Sequence, residues 1–313
     1  MGENNTIMTD RHAVGRITYG NADGTAKHGN YGDWFQTFAV EYILNQLNIN
    51  SLVDINVEKL ADYKGPKTLV VMNAWFEPGF KKDIFPISED IEPMYFGTHR
   101  FSSDNLQKEQ FDGMLVGCRD EESYKNFKKM GAHAFISGCT TICIPKRIDE
   151  PQNPAIFLVD VPAEIEKYIP NNVKSGCEII KISQEKSNIS NFEREARELL
   201  DMYKDRAKMV ITSRLHCAGP CLGMGIPVIL YRKYYDERYS WIDKFLPLYT
   251  FKDVDKIEWN VEPIDMSEPK KLILEYFRAY LVDNDKDRCV EYAKKLTNYY
   301  LNRNKKKNIR IRC

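Results

Sequence analysis

No stretch of this 313-residue sequence approaches the ~20 consecutive apolar residues that cross a bilayer, so no transmembrane segment is expected. Nor is there a surplus of either charge: 45 Lys and Arg stand against 45 Asp and Glu. Neutralising nucleic-acid phosphates takes a basic excess, so that class of partner is excluded. The first residues, Met1-Gly2-Glu3-Asn4-Asn5-Thr6, lack the basic-then-apolar order of a signal peptide. Gly2 and Thr6 fit the spacing of a myristoylation signal, a match short enough to arise by chance. Zinc-type cysteine pairing is missing too. Of eight cysteines, Cys139/Cys143 and Cys217/Cys221 are closely spaced, but both pairs sit in apolar runs. They read as buried free thiols in a reducing cytoplasm, and no metal site is expected.

What is present is ordinary for a folded chain: 43% hydrophobic and 29% charged residues. The length suits two domains of ~150 residues, read here as 1–150 and 151–313, with residues 146–153 around Pro151 as the linker. Strand-like and helix-like stretches alternate. Strands are expected at 14–19, 52–55, 68–72 and 114–117, with further apolar segments at 134–137 and 142–144. A helix at 34–47, capped by Asp33, and another at 121–130, ended by Gly131, separate them. The second half repeats the logic, with strands at 155–159, 178–182, 208–212 and 227–230 and a helix at 192–204. Two helices close the chain, at 269–281 and 286–302, the last able to pack back on the first domain. The basic run at 305–307 reads as a solvated end that could also touch an anionic surface. The pattern predicts an α/β fold: two Rossmann-like domains facing a cleft, GT-B-like, with C-terminal helices.

Several strand ends carry polar residues suited to chemistry. Ser213-Arg214-Leu215-His216 follow an expected strand and open an apolar, glycine-rich segment. Free N–H groups at a helix start favour an anion, Arg214 offers a planar fork for phosphate or carboxylate, and His216 can move a proton near neutrality. A surface arginine and a capping histidine are the plain alternative. Gly219, Gly223 and Gly225 suggest close backbone packing, and Pro220 a kinked or partly non-helical segment. Arg119, in Gly117-Cys118-Arg119-Asp120, could face the cleft from the other domain, or simply sit in a salt bridge. The loop Gly29-Asn30-Tyr31-Gly32-Asp33 matches neither a phosphate loop nor the dinucleotide glycine pattern, yet could hold a polar ligand. Trp75, just past a buried strand, could be a platform for a sugar ring or a core residue.

In order along the chain, Asn30-Tyr31-Gly32-Asp33 and Ser213 to His216 followed by Gly225-Ile226-Pro227 resemble the polysaccharide pyruvyl transferase family. Between them, Asn73 to Phe76, Phe96-Gly97-Thr98-His99, Gly117 to Asp120 and Ser137-Gly138-Cys139-Thr140-Thr141-Ile142-Cys143 resemble one bacterial branch of it. Ala74, Thr140 and Cys143 depart from that branch's usual Gly, Leu and Thr. The resemblance spans most of residues 14–231, and the last eighty or so carry no matching motif.

The resemblance implies a transferase that moves the enolpyruvyl-derived unit of phosphoenolpyruvate onto two sugar hydroxyls as a pyruvate ketal. It implies phosphoenolpyruvate as co-substrate with no other cofactor, and a carbohydrate acceptor that could be lipid-linked, so peripheral membrane contact stays open. Arg119, Ser213, Arg214 and Leu215 are then donor-binding residues, and His216 is the general acid. Asp33 and His99 are candidate bases, and Asn30, Tyr31 and Trp75 hold the acceptor. The same architecture would serve a glycosyltransferase using a nucleotide sugar, or a non-catalytic carbohydrate- or anion-binding protein.

Overall fold

The computed structural model describes residues 13–77, 84–102 and 106–303. The Gly2/Thr6 pattern, the basic run at 305–307 and Cys313 lie outside the described residues. Short apolar runs form strands because extended chain hides its backbone groups only by pairing, and a run buried on both faces pairs in parallel. In the first half these are β1 (Ala13–Thr18), β3 (Leu52–Asn56), β4 (Thr68–Val71) and β5 (Ile91–Met94), with β2 (Ala26–Asn30) and α1 (Tyr31–Gln46) between the first two. The sheet order is β3-β1-β4-β5, all parallel. β6 (Leu115–Cys118), α2 (Glu121–Lys129) and β7 (His133–Ile136) follow. Backbone bonds from Gly117 N to Tyr95 O and Arg119 N to Thr98 O, both 2.9 Å, join β6 to the chain leaving β5.

The second sheet is built from β8 (Ala155–Val159), α3 (Asn171–Lys174), β9 (Glu178–Ile182), β10 (Glu185–Ile189), α4 (Phe192–Arg206), β11 (Ala207–Thr212), α5 (Leu215–Met224), β12 (Val228–Tyr231) and β13 (Leu248–Tyr249). Its order is β13-β12-β11-β8-β9, again parallel. The faces alternate as pleating requires. Ala155, Phe157 and Val159 join the main core, while Ile156 and Leu158 turn to a smaller cluster with Met209, Ile211 and Ile229. Helices α6 (Ser267–Arg278) and α7 (Lys286–Arg303) complete the α/β architecture. Both rest on the first half. Phe96 packs on Tyr276 and Phe277 at 5.2 and 5.0 Å between ring centroids, and Thr297 Oγ1 accepts the Ile136 N–H at 3.1 Å.

The two sheets are tied together beside the cleft. β2 and β10 form an antiparallel ribbon, pairing Asn30 with Glu185 and His28 with Ser187. Below it, Arg16 of β1 reaches Glu193 of α4 at 3.1 Å. Three local outcomes correct or complete the sequence reading. α1 begins at Tyr31 because Asn30 ends the ribbon and its Oδ1 caps the Gly32 N–H at 2.9 Å, which moves Asp33 into the first turn. The apolar segment at 142–144 enters a 3₁₀ turn, Thr140–Cys143, that packs against α1 and α5. α5 runs through Pro220 as one helix, with Gly219 and Gly223 admitting the turn so closely that a Cβ on either would meet Thr141 Oγ1 or Ile142 O within 2.5 Å. The proline removes only one backbone donor, and Gly225, with φ +72°, ends the helix. Among the described residues no helix is long and apolar enough to cross a membrane. Cys139, Cys143, Cys217 and Cys221 are buried free thiols.

Candidate active site

Two helix N-termini meet at the centre of the molecule. An ideal Cβ on Gly32, second residue of α1, would lie 2.6 Å from Cβ of His216, second residue of α5. Each helix start carries partial positive charge, and α5 has no side-chain cap on its first turn. Arg119, 2% exposed, reaches this point from the end of β6. Its Nη1 donates to His216 Nε2 at 3.1 Å and to Gln36 Oε1 at 3.3 Å, while its Nε has no hydrogen-bond partner. A guanidinium has no lone pair to offer, so Nε2 of His216 is the acceptor and the imidazole is neutral. Burial pushes the His216 pKa well below its usual value, and the charges of Arg119 and Arg238, with His99, act in the same sense.

A second imidazole lies behind Arg119. Asp120 is wholly buried and caps α2, accepting the Ser123 N–H on Oδ1 at 2.9 Å. Its Oδ2 stands 2.6 Å from Nδ1 of His99 and 3.9 Å from Nε of Arg119. Burial opposes the charge on Asp120, but His99, Arg119 and the Ser123 amide together hold its pKa below the usual carboxylate value. Burial and Arg119 also lower the pKa of His99, and the Asp120 contact only partly counters them. The pair is therefore a carboxylate accepting Nδ1–H from a neutral imidazole.

These shifts fix the sign of an acid transition. A depressed imidazole takes up a proton in the unfolded chain before it does so in the fold, so stability is lost as pH falls below about 6.5. Each of His99 and His216 contributes at most about 1.4 kcal/mol per pH unit there. Asp120 adds a second loss as pH falls through and below about 3.8, the unfolded carboxylate value. Urea midpoints followed from pH 8 to pH 5 should decline, and the slope should flatten in a His99→Gln/His216→Gln double variant. A midpoint independent of pH in this window would mean that neither imidazole is held neutral.

Beside this cationic point opens a cavity of about 500 Å³, lined by Tyr19, Asn30, Asp33, Trp75, Glu77 and the β10 residues Glu185 to Ser187, among others. Asn30, Asp33 and Trp75 thus stand together on its wall. Arg238, in the 3₁₀ turn Glu237–Tyr239, stacks its guanidinium 5.3 Å over the Trp75 ring and is gripped by Asp236 at 2.6 to 3.0 Å. Sequence reasoning missed it. The run Arg232-Lys233-Tyr234-Tyr235-Asp236-Glu237-Arg238 carries no motif, and nothing local marks one of its cations for the cleft.

Other expected residues are placed differently. Arg214 is not a free fork: Nε holds Asp160 at 2.8 Å and Nη1 holds Glu185 at 2.7 Å. Ser213 gives its hydroxyl to the Asp160 carbonyl at 2.6 Å, and Leu215 is buried. Tyr31 turns away from the cavity. Its ring packs on Phe192 at 5.9 Å between centroids and its hydroxyl donates to Glu195 at 2.6 Å, because extending α1 to Tyr31 aims that side chain at α4. Burial, and then Glu195, push the phenol up to about 12. Among the described residues no group of three or more His, Cys, Asp or Glu is arranged to hold a metal.

Residues 106–232 match the sequence model of the family described as polysaccharide pyruvyl transferase. The match contains Arg119, Asp120, Arg214 and His216 and leaves out Asp33, Trp75, Glu77, His99 and Arg238. No curated protein matches the chain. Solved structures with a similar course include an uncharacterised protein of Klebsiella pneumoniae at 16% identity, covering 72% of this chain and 88% of that one, with a TM-score of 0.42. S. aureus MnaA, solved with UDP, is similar at 9% identity, 87% and 97% coverage and a TM-score of 0.45. The Methanocaldococcus jannaschii UDP-GlcNAc 2-epimerase, solved with UDP-GlcNAc and UDP, is similar at 11% identity, 83% and 98% coverage and a TM-score of 0.40.

Proposed function

We propose that this protein is a cytoplasmic pyruvyl transferase that carries the three-carbon unit of phosphoenolpyruvate onto two hydroxyls of a sugar, releasing phosphate, in polysaccharide or glycolipid-precursor synthesis. The observation that carries the reading is the Arg119–His216 contact at the meeting of two helix N-termini, next to a carboxylate-lined cavity with Trp75 on its wall. Phosphoenolpyruvate bears a carboxylate and a phosphate, roughly −2.5 to −3 in charge given a second phosphate pKa of ~6. A chain with no net charge holds such an ion only where cations are concentrated, and Arg119, Arg238 and the start of α5 are concentrated here. On this reading residues 151–313 supply the donor side, with Ser213 and Leu215 as backbone supports and Arg214 shaping the rim. Residues 1–150 supply the acceptor side, with Asn30 and Trp75 against the sugar.

The chemistry follows from the charges. A bound dianion draws the Arg119 guanidinium off His216 and offsets the repulsion that keeps the imidazole neutral, so His216 gains a proton on Nε2. That proton goes to the methylene carbon of the donor, and the carbon bearing phosphate becomes electrophilic. One sugar hydroxyl attacks it, phosphate leaves, and a second hydroxyl closes the ketal. Asp33, on the cavity wall, and His99, behind Arg119, are the candidate bases.

The test is incubation of the pure protein with phosphoenolpyruvate and a panel of sugar acceptors, reading inorganic phosphate and acceptor mass. Phosphate release that depends on acceptor, with a pyruvylidene added to the sugar, supports the reading. Calorimetry showing no binding of phosphoenolpyruvate overturns it, and protection by a nucleoside diphosphate would then favour transfer from a nucleotide sugar.

A further inference from the structure

We infer that Glu77, His99 and Asp120 form a proton relay in which Glu77 touches the acceptor hydroxyl and His99, held by Asp120, takes the proton onward. The inference rests on the pyruvyl-transfer reading and names the base that reading leaves open between Asp33 and His99. Its starting point is an unsatisfied atom. Both oxygens of Asp120 are engaged, one by the Ser123 amide at 2.9 Å and one by His99 Nδ1 at 2.6 Å. An ionised carboxylate only accepts, so Nδ1 carries the hydrogen and Nε2 presents a lone pair. That Nε2 is buried, on a residue 1% exposed, and has no hydrogen-bond partner. A buried acceptor without a donor is costly unless a proton is meant to arrive there.

The group facing it is Glu77, whose Oε1 lies 3.9 Å from Nε2. Glu77 lines the cavity and His99 does not, so a sugar reaches the imidazole only through the carboxylate. The amides of Phe101 and Ser102 fix Glu77 in place, the latter at 3.3 Å. Trp75, which lines the cavity, has its ring centroid 6.1 Å from that of His99, and the Phe101 ring packs edge-on to His99 at 4.4 Å. Asp33 also lines the cavity, but it sits in the first turn of α1, where the helix end favours its charged form.

The titratable groups facing His99 are Asp120 and Arg119 from the start of α2, Glu77 from the loop after β4, and the neutral His216 of α5 beyond Arg119. Arg119 stands between the two imidazoles. When His216 gives up its proton to the donor carbon and His99 receives one, the number of positive charges around that guanidinium is unchanged. The step balances. The acceptor O–H breaks, its electron pair forms the new C–O bond, and its proton passes through a Glu77 oxygen to His99 Nε2. The bond from carbon to the phosphate oxygen then breaks with its pair on phosphate. The second hydroxyl closes the ring, and over the whole cycle the two hydroxyl protons are accounted for by the new methyl group and the departing hydrogen phosphate.

The experiment compares kcat, KM and the pH profile of wild type, Glu77→Gln and His99→Gln, with fold checked by circular dichroism and donor binding by calorimetry with phosphoenolpyruvate alone. Glu77→Gln should lower kcat by ~10²–10⁴-fold, leave donor binding intact and remove the acid limb of the profile. His99→Gln should lower kcat and displace that limb, because Glu77 must then keep the proton. Wild-type turnover together with a Glu77→Gln variant that keeps its kcat and acid limb overturns the relay alone. A wild type that neither binds phosphoenolpyruvate nor releases phosphate overturns the transfer reading, and the relay with it.

Discussion

Replacing Asp120 with alanine should destabilise the fold by about 3–5 kcal/mol, because it leaves a buried cation without its carboxylate. Arg119 is 2% exposed, and its own partners are otherwise neutral: the Gln36 amide oxygen and the His216 ring nitrogen. The same substitution strips α2 of its cap at Ser123 and leaves the Nδ1–H of His99 unpaired in the interior. Asp120→Asn separates these effects. Its amide oxygen can still cap α2, and its NH₂ can donate to Nδ1 of His99, so the fold should lose less. The hydrogen of His99 would then move to Nε2, the wrong tautomer for accepting a proton, so activity should fall, while the fold should lose only the share that comes from leaving Arg119 without its carboxylate. Urea unfolding of both variants beside wild type reads the difference. An Asp120→Ala midpoint within about 1 kcal/mol of wild type would show that Arg119 is hydrated in solution and not dependent on Asp120.

The parts of the fold legible in the sequence are those buried on both sides. Ala155–Val159 and Val228–Tyr231 fall within a residue of where the apolar runs place them, because a strand inside a parallel sheet leaves little room for charged side chains on either face. β2 and β10 escaped notice for the converse reason. Ala-Lys-His-Gly-Asn and Glu-Lys-Ser-Asn-Ile have no apolar alternation, and each is a strand only because the other supplies its partner from across the molecule. β5 contains Pro93, which argues against a strand until its position at the sheet edge is known. In the site, Arg119 and His216 were visible because each sits where a strand hands over to a helix. The pairing of Arg214 was not. Asp160 and Glu185 lie 54 and 29 residues earlier in the chain, and an arginine at a helix start looks the same whether or not a carboxylate has reached it. Arg238 and Glu77 were hidden likewise, since each acquires its role only from a neighbour on another element, Trp75 for one and His99 for the other.

His216→Ala should lower kcat by ~10²–10⁴-fold, the usual contribution of a positioned general acid, while donor binding to Arg119 survives. A subtler substitution tests position and not chemistry. Gly32→Ala puts a methyl group 2.6 Å from the His216 Cβ, where carbon atoms rest about 3.5–4.0 Å apart, so the imidazole or the α1 terminus must shift by about 1 Å. Displacements of that size in a catalytic constellation can cost ~10²-fold. The backbone itself offers no objection, because Gly32 does not occupy the left-handed region, and alanine favours a helix over glycine by about 0.5–1 kcal/mol. Local propensity and site geometry therefore predict opposite signs: a helix no less inclined to form, and a slower enzyme. Measuring kcat and thermal stability of Gly32→Ala together separates the two. A variant with lower kcat and near-normal stability places the demand on the distance between the two helix starts. One that turns over like wild type would mean that His216 need not stay where Arg119 holds it, and the general acid would have to be sought elsewhere in the cleft.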